Sequence, residues 1–372
     1  MVIEKEGDIN VVEAANKRIK NAFDTGLDLA FSISGGKDSI VLAEIILGLL
    51  KKKEIDPKRL EVNFIDEEAM FDDVIEIVKK LRKRFMLFGV KFNWYCIQVL
   101  HFNCLDRLSA EETYICWDEE AKGRWVREMP EFAIQDDPFL KKREENYQSF
   151  LTRKTSGKIS IIGLRTAESV QRRTALATMF KNSPPGSINP KNASLYPIFD
   201  WKDWDVWRFI KERKLDFPIT YMRLYETGTP RSRMRISQFF SVDTAKVLVK
   251  LSEYDDGLME RVERRHPNAY IAALYWDSEM FRRSTPSRRK NEEGEEVNYK
   301  EKIFEIYRNP EKHVQSKGDF KTWTHTRRRF AHLYGMMEES DFRNWYNMII
   351  GGDPKRRTLR GIMTKIWSRR NG

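Results

Sequence analysis

The chain has 372 residues, of which 41% are hydrophobic, 33% charged and 12% aromatic. That balance excludes a disordered or fibrous chain, supplies a sizeable core, and in this length suggests two domains. Lys and Arg number 67 against 56 Asp and Glu, a net charge of +11, which favours phosphate-bearing partners: nucleotides, nucleic acid or both. In chain order, Val11 to Phe23 has helical spacing, Leu27 to Ser34 (LDLAFSIS) reads as a short strand and Ser39 to Leu50 as a helix. Arg59 to Asp66 (RLEVNFID) alternates and ends in an acid, Phe71 to Phe88 is amphipathic, and Lys91 to Val99 reads as a third strand. Strand–helix–strand–helix–strand order requires right-handed crossovers, hence a parallel, doubly wound α/β sheet. Cys104 to Arg153, rich in Trp and charge, reads as a partly helical insertion. Lys158 to Arg165 (KISIIGLR) reads as a buried strand, Glu168 to Phe180 as a helix, and Asn182 to Asn192 as a loop. Ser194 to Trp201 gives a last strand and Asp203 to Lys214 a helix.

Beyond Phe217 helical patterns dominate and arginine clusters recur, with a polar loop at Asn291 to Asn298. The expected organisation is a nucleotide-binding α/β domain over 1–225, interrupted at about 104–153, and a basic, mostly helical domain over 226–372. Cys96, Cys104 and Cys116 are an odd, sparse set that argues against a disulfide framework and fits a reducing cytoplasm. The opening MVIEKEGDINVVEAANKRIK lacks an apolar leader core, and Ile40 to Leu50 is too short to cross a bilayer and carries Glu44. A cytoplasmic protein with no membrane partner is expected.

The turn Ser34-Gly35-Gly36-Lys37-Asp38-Ser39 follows the first strand and opens a helix. In parallel sheets ligands bind at the carboxyl ends of the strands, and a helix N-terminus there offers unpaired N–H groups and a positive dipole end. Gly35 and Gly36 let the backbone curl, and the N–H groups of Gly36 to Ser39 can form an anion nest. Ser34 and Ser39 add hydroxyls and Lys37 a positive charge. Asp38 suits an anion site only as a helix cap or as a holder of Mg²⁺ carried by a nucleotide. The spacing is not that of the usual P-loop.

SISGGKDSIVL (Ser32 to Leu42) resembles the PP-loop of the ATP-pyrophosphatase (adenine nucleotide alpha hydrolase-like) superfamily. IIGLRTAESVQRR (Ile161 to Arg173) and YPIFDWKDWDVWRFI (Tyr196 to Ile210) resemble segments of phosphoadenosine phosphosulfate (PAPS) reductases and their relatives. The resemblance implies a Rossmann-like, HUP-type sheet. It also implies ATP or a sulfonucleotide bound by Ser32, Ser34 to Ser39, Gly163 and Arg165, with Lys37, Asp38 and Arg165 in the chemistry. Asp66 would lie near ribose or adenine, or else cap its loop. Glu168 would orient Arg165 or cap the next helix, and Arg172 and Arg173 would extend the charge or lie on a solvated face. Trp201, Trp204 and Trp207 suit packing, and Asp200 and Asp205 suit positioning of their segment. YICWDEEAKGRWVREMPE (Tyr114 to Glu131) and YETGTPRSRMRISQFF (Tyr225 to Phe240) resemble the immunoglobulin-binding regulator A (IbrA)-type subfamily, found in phages and mobile elements, often beside a ParB-like partner. Arg231, Arg233 and Arg235 follow the α/β core and would close over the nucleotide.

The chain departs from the reductases in one respect: no cysteine follows Cys116, so thiol-dependent PAPS reduction is not expected, nor is an iron–sulfur cluster. The expected function is cleavage of the α–β bond of ATP with pyrophosphate release, to adenylate an acceptor such as a nucleic acid. The alternative is a nucleotide-gated regulator that binds DNA, RNA or a protein without turnover.

Overall fold

The computed structural model describes residues 10–105, 113–168, 170–180, 184, 186–189, 192–231, 234–255, 257–267, 269–275, 298–310, 317–351, 353 and 357–370. The chain divides into two compact units, Met1–His101 with Ile115–Pro267, and Phe102–Tyr114 with Asn268–Gly372. In the first, β1 (Leu29–Ile33), β2 (Leu60–Ile65), β3 (Lys91–Tyr95), β4 (Ile159–Ile162) and β5 (Ser194–Leu195) form a five-stranded sheet in the order β3-β2-β1-β4-β5. Every neighbouring pair is parallel, so the expected doubly wound α/β architecture is realised. β1 and β2 are buried on both faces, as central parallel strands covered by helices must be, with Glu61 and Asn63 as the buried polar members of β2. The chain runs outward through β2 and β3, then returns to the other side of β1 through β4. The switch point therefore lies between the carboxyl ends of β1 and β4.

Helix α1 (Val11–Asp24) starts at Asn10, whose side chain accepts the Val12 N–H. Its buried Arg18 forks onto both oxygens of Asp200 at 2.9 Å and donates to the Pro197 carbonyl at 2.7 Å. Helix α2 (Lys37–Lys51) crosses from β1 and is buried over most of its surface. Helix α3 (Asp72–Leu87) covers the same strand, Phe85 meeting Phe31 with ring centres 6.3 Å apart. The expected strand Ser194 to Trp201 is much shorter. Pro197 cannot donate to a ladder, and the chain folds into turns in which Phe199 N–H bonds Tyr196 and Trp201 N–H bonds Ile198. Helices α4 (Tyr147–Lys154), α5 (Val170–Met179), α6 (Asp203–Arg213) and α7 (Thr220–Glu226) complete the core of the unit.

The boundary anticipated after Tyr225 falls inside this first unit. Phe239 N–H bonds the Ala69 carbonyl at 2.8 Å and its ring meets Phe71 edge-on, which ties the segment to the loop after β2. The short helices α8 (Val242–Ala245), α9 (Leu248–Ser252) and α10 (Leu258–Arg265) follow, with Arg265 on α10 paired with the buried Glu68 at 2.7 Å. The second unit is helical: α11 (Ala269–Leu274), α12 (Tyr299–Arg308), α13 (Lys317–Leu333), α14 (Glu339–Gly351) and α15 (Arg357–Arg370). Ile303, Tyr307, Phe330, Trp345, Leu359 and Ile366 lie at its core. The Asn291 to Asn298 loop lies, but for Asn298, outside the described residues. Among the described residues no helix is long and apolar enough to cross a membrane.

Candidate functional site

At the end of β1 the chain turns through Gly35 at φ +73°, the left-handed region that glycine enters without strain. A Cβ at Gly35 would also stand 2.6 Å from Val74 Cγ1 and 2.8 Å from Val78 Cγ2 on α3, so the turn packs directly on that helix. Ser39 fastens it: its hydroxyl donates to the Gly36 carbonyl at 2.9 Å and accepts the Ser34 N–H at 3.3 Å. The Ser39 hydroxyl is therefore spent inside the turn, while Ser34 is exposed at its rim. Gly36 is the N-cap of α2 and contributes no side-chain cap. Among the described residues no hydrogen bond engages the N–H groups of Asp38 and Ser39; the Lys37 N–H goes to the Tyr221 hydroxyl at 3.0 Å. The first turn of a helix exposes such donors with a partial positive charge.

These donors open on a cleft of about 230 Å³, lined by Ser34, Gly36 to Ser39, Gly163 beyond β4, Glu168 just before α5, Arg172 in its first turn, Tyr221 on α7, and Arg235 to Ser237 with Asp243. The cleft lies at the switch point of the sheet. It is smaller than the roughly 300–1,000 Å³ of pockets that enclose whole drug-sized ligands. A volume of that size would hold a phosphate group or two.

Lys37 is only 4% exposed. Its ammonium lies 3.3 Å from Asp38 Oδ2 and 3.4 Å from the Met234 carbonyl, and sits over the Tyr221 ring. Burial lowers its pKa, opposed by Asp38 and reinforced by Arg165. Arg172 forms an ion pair with Glu168 one turn back, and Arg235 donates to the Glu168 carbonyl at 2.6 Å. Burial and then the Arg235 guanidinium lower the pKa of Arg172, so two cations share one wall of the cleft. Additional negative charge there is welcome on electrostatic grounds.

Several residues singled out in the sequence lie elsewhere. Arg165 does not line the cleft. It is fully buried, with Nε 2.6 Å from Asp38 Oδ1 and a terminal nitrogen 2.7 Å from Asp203 Oδ1. It clamps Asp38 from behind, and its charge also acts on Lys37. Among the described residues the Glu168 carboxylate makes no hydrogen bond to Arg165; it pairs with Arg172. Asp66 lies away from the cleft and is almost fully buried. Its carboxylate accepts the Trp94 indole N–H at 2.8 Å and the Glu68 N–H at 3.1 Å, and pairs with Arg127. It anchors the loop after β2 beneath the 115–127 segment, which fits the second of its two readings, a cap for its own loop. Ser32 is within β1, opposite Asn63 and Ile162. Arg173 and Arg231 are exposed and do not line the cleft, and Arg233 lies outside the described residues. Of that arginine series, Arg235 alone reaches the cleft among the described residues.

The donor set suits a phosphate but not Mg²⁺ on Asp38. Both oxygens of that carboxylate are committed, Oδ1 to Arg165 and Oδ2 to Arg165 and Lys37. Among the described residues no group of His, Cys, Asp and Glu could hold a metal ion. Cys96, Cys104 and Cys116 are buried and free of disulfides, and burial raises the thiol pKa of Cys96 and Cys116 well above the ordinary range. Tyr221, Ser237 and Asp243 were missed in the sequence. Ser237 sits in a stretch already notable for arginine, but nothing local distinguishes a tyrosine on a short helix.

Fold and cleft together define a doubly wound parallel α/β protein whose α2 N-terminus opens on a cleft at the switch point of the sheet. No protein-family model matches the chain. It is 29% identical over 249 residues to the uncharacterized protein YbdN of Escherichia coli (strain K12), a match covering 62% of this chain and 59% of YbdN. It is 28% identical over 200 residues to the uncharacterized protein MJ0973 of Methanocaldococcus jannaschii, covering 54% of this chain and 39% of that protein. The chain thus spans less than two thirds of the length of either curated relative. Among solved structures, Candida glabrata FMN adenylyltransferase aligns with a TM-score of 0.35 at 16% identity, over 59% of this chain and 62% of that one. The U34-tRNA thiolase NcsA from Methanococcus maripaludis, solved with its 4Fe-4S cluster, aligns with a TM-score of 0.31 at 12% identity, over 73% and 78%. Likenesses this slight carry no functional argument.

Proposed function

We propose that the chain binds the phosphates of an adenine nucleotide, ATP or a sulfonucleotide, at the N-terminus of α2, as a PP-loop ATP pyrophosphatase of the PAPS reductase-like, IbrA-type kind. The observation that supports this most is the arrangement at the turn. The unengaged N–H groups of Asp38 and Ser39 open on the same cleft as Lys37, Arg172 and Arg235. In the reaction proposed, an acceptor oxygen attacks the α-phosphorus of ATP. The bond from that phosphorus to the α–β bridging oxygen breaks, and pyrophosphate leaves with the electron pair while the acceptor is adenylated. Lys37 and the α2 N–H groups would balance the charge gathering on the leaving pyrophosphate. Thiol-dependent reduction is not proposed, since Cys96 and Cys116 are buried with raised thiol pKa.

One observation favours a second reading, a nucleotide-gated regulator working with a ParB-like partner and with DNA or RNA through the basic helical unit. Every carboxylate lining the cleft faces a cation: Asp38 pairs with Arg165, Glu168 with Arg172, and Asp243 lies 4.0 Å from Arg235. None is an uncommitted general base. Product analysis with α-labelled ATP, with and without bulk DNA and RNA, decides between the two. AMP or an adenylated product that disappears in Lys37→Ala supports the enzyme. ATP bound but unchanged in every condition supports the regulator, and failure to bind ATP or a sulfonucleotide overturns both.

A further inference from the structure

Tyr221 is 3% exposed and lines the cleft from α7, 184 residues along the chain from the helix it touches. Its hydroxyl accepts the Lys37 N–H at 3.0 Å. It also stands 3.3 Å from where a Cβ on Gly36 would be, so it lies at the lip of the glycine turn, in space that a side chain at 36 would crowd. A phenol hydroxyl has one proton to donate and two acceptor positions. One acceptor position is used by Lys37. Among the described residues no hydrogen bond takes up the proton, although the residue is buried. A buried donor left unmatched costs about 1–3 kcal/mol, so a structure rarely keeps one without water or a ligand to receive it.

The position is built and not incidental. The Tyr221 ring meets Trp207 edge-on with centres 5.4 Å apart, and the Lys37 ammonium sits 5.6 Å over its face. The preceding residue, Thr220, donates its N–H and its hydroxyl to Asp73 Oδ2 at 2.7 and 2.8 Å, which pins the start of α7 to α3. Burial raises the Tyr221 pKa, so the hydroxyl keeps its proton at neutral pH.

We propose that Tyr221 is a phosphate-binding residue: its hydroxyl takes the first N–H of α2 and hands a hydrogen bond on to an oxygen of the bound phosphate. The inference rests on the reading of the cleft as an oligophosphate site and adds a residue to it. In effect the helix reaches its ligand through a relay. The N–H of Lys37 polarises the phenol, and a polarised O–H is a stronger donor to a charged oxygen.

The test is Tyr221→Phe, titrated by calorimetry with inorganic pyrophosphate, ATP and adenosine. Phenylalanine keeps the contacts with Trp207 and Lys37 and leaves the Lys37 N–H facing the cleft, so the fold is retained, as the melting temperature without ligand checks. Loss of a hydrogen bond to a charged group weakens binding about tenfold or more. The result expected is that loss for pyrophosphate and ATP, with adenosine unmoved. If the wild type binds pyrophosphate and the variant binds it as tightly, or more tightly because the hydroxyl was competing for Lys37 N–H, the proposal is overturned while the oligophosphate reading stands. If the wild type binds neither pyrophosphate nor ATP, the oligophosphate reading fails and this inference with it.

Discussion

Replacing Arg165 with methionine isolates what that arginine does. The guanidinium is fully buried between Asp38 and Asp203, whose side chains are 13% and 33% exposed. Without it Asp38 keeps only Lys37, at 3.3 Å, as a charged partner. Removing one member of a buried ion pair costs about 3–5 kcal/mol, most of it the stranded charge. Asp203 can rehydrate and adds little, so the lower end, about 3 kcal/mol, applies. In a domain of this size 1 kcal/mol moves the melting temperature by about 2–4 °C, so Arg165→Met should melt about 6–12 °C lower. Differential scanning calorimetry reads this directly. Adding Asp38→Asn removes the stranded charge and should restore at least half of the loss, because the two residues form one unit. Arg165→Met that melts like wild type yet no longer binds pyrophosphate would refute the reasoning, since the arginine would then contact the ligand itself. So would a double variant that melts no higher than Arg165→Met.

Two glycines should respond oppositely to alanine. Gly35→Ala meets both a left-handed backbone and Val74 at 2.6 Å, and should destabilise by about 2–4 kcal/mol by chemical denaturation. Gly48→Ala, inside α2 with nothing within 4 Å of the new Cβ, should stabilise by about 0.5–1 kcal/mol. Equal effects would contradict the packing described. A pH series tests two half-buried groups with opposite slopes. Burial, aided by Asp66, pushes Glu67 up to about 7, so the stability it contributes is present below its ordinary 4.5 and lost as pH rises toward 7. Burial, aided by Arg265, pushes His266 down to about 4, so its contribution is present above 6.5 and lost as pH falls toward 4. The two offset each other in wild type. Glu67→Gln should melt higher than wild type at pH 8 and lose stability more steeply between pH 6.5 and 4; parallel melting curves would refute this.

What could be read from the sequence was local. The alternation of Arg59 to Asp66 and the strand–turn–helix around SGGKDS depend on neighbours in the chain, and the parallel sheet follows from their order. What escaped depends on distant partners. Arg165 looked like a strand-end phosphate ligand, but its carboxylate partner Asp38 is 127 residues away and buries it. Asp66 ends β2 in the position of a ligand-binding acid, yet Trp94 and Arg127 enclose it. Tyr221 carries no local signal at all, because only the approach of α7 to α2 gives it a role. The last strand was overlong for a simpler reason: the apolar run continued through Pro197 while the hydrogen bonding did not.

The most direct measurement is a crystal structure with a non-hydrolysable ATP analogue. The account predicts a phosphate group within about 3 Å of the N–H groups of Asp38 and Ser39 and of the Tyr221 hydroxyl, with Arg172 and Arg235 on its other side. A nucleotide bound elsewhere on the chain, or a phosphate gripped by Arg165 with Asp38 released, would contradict it.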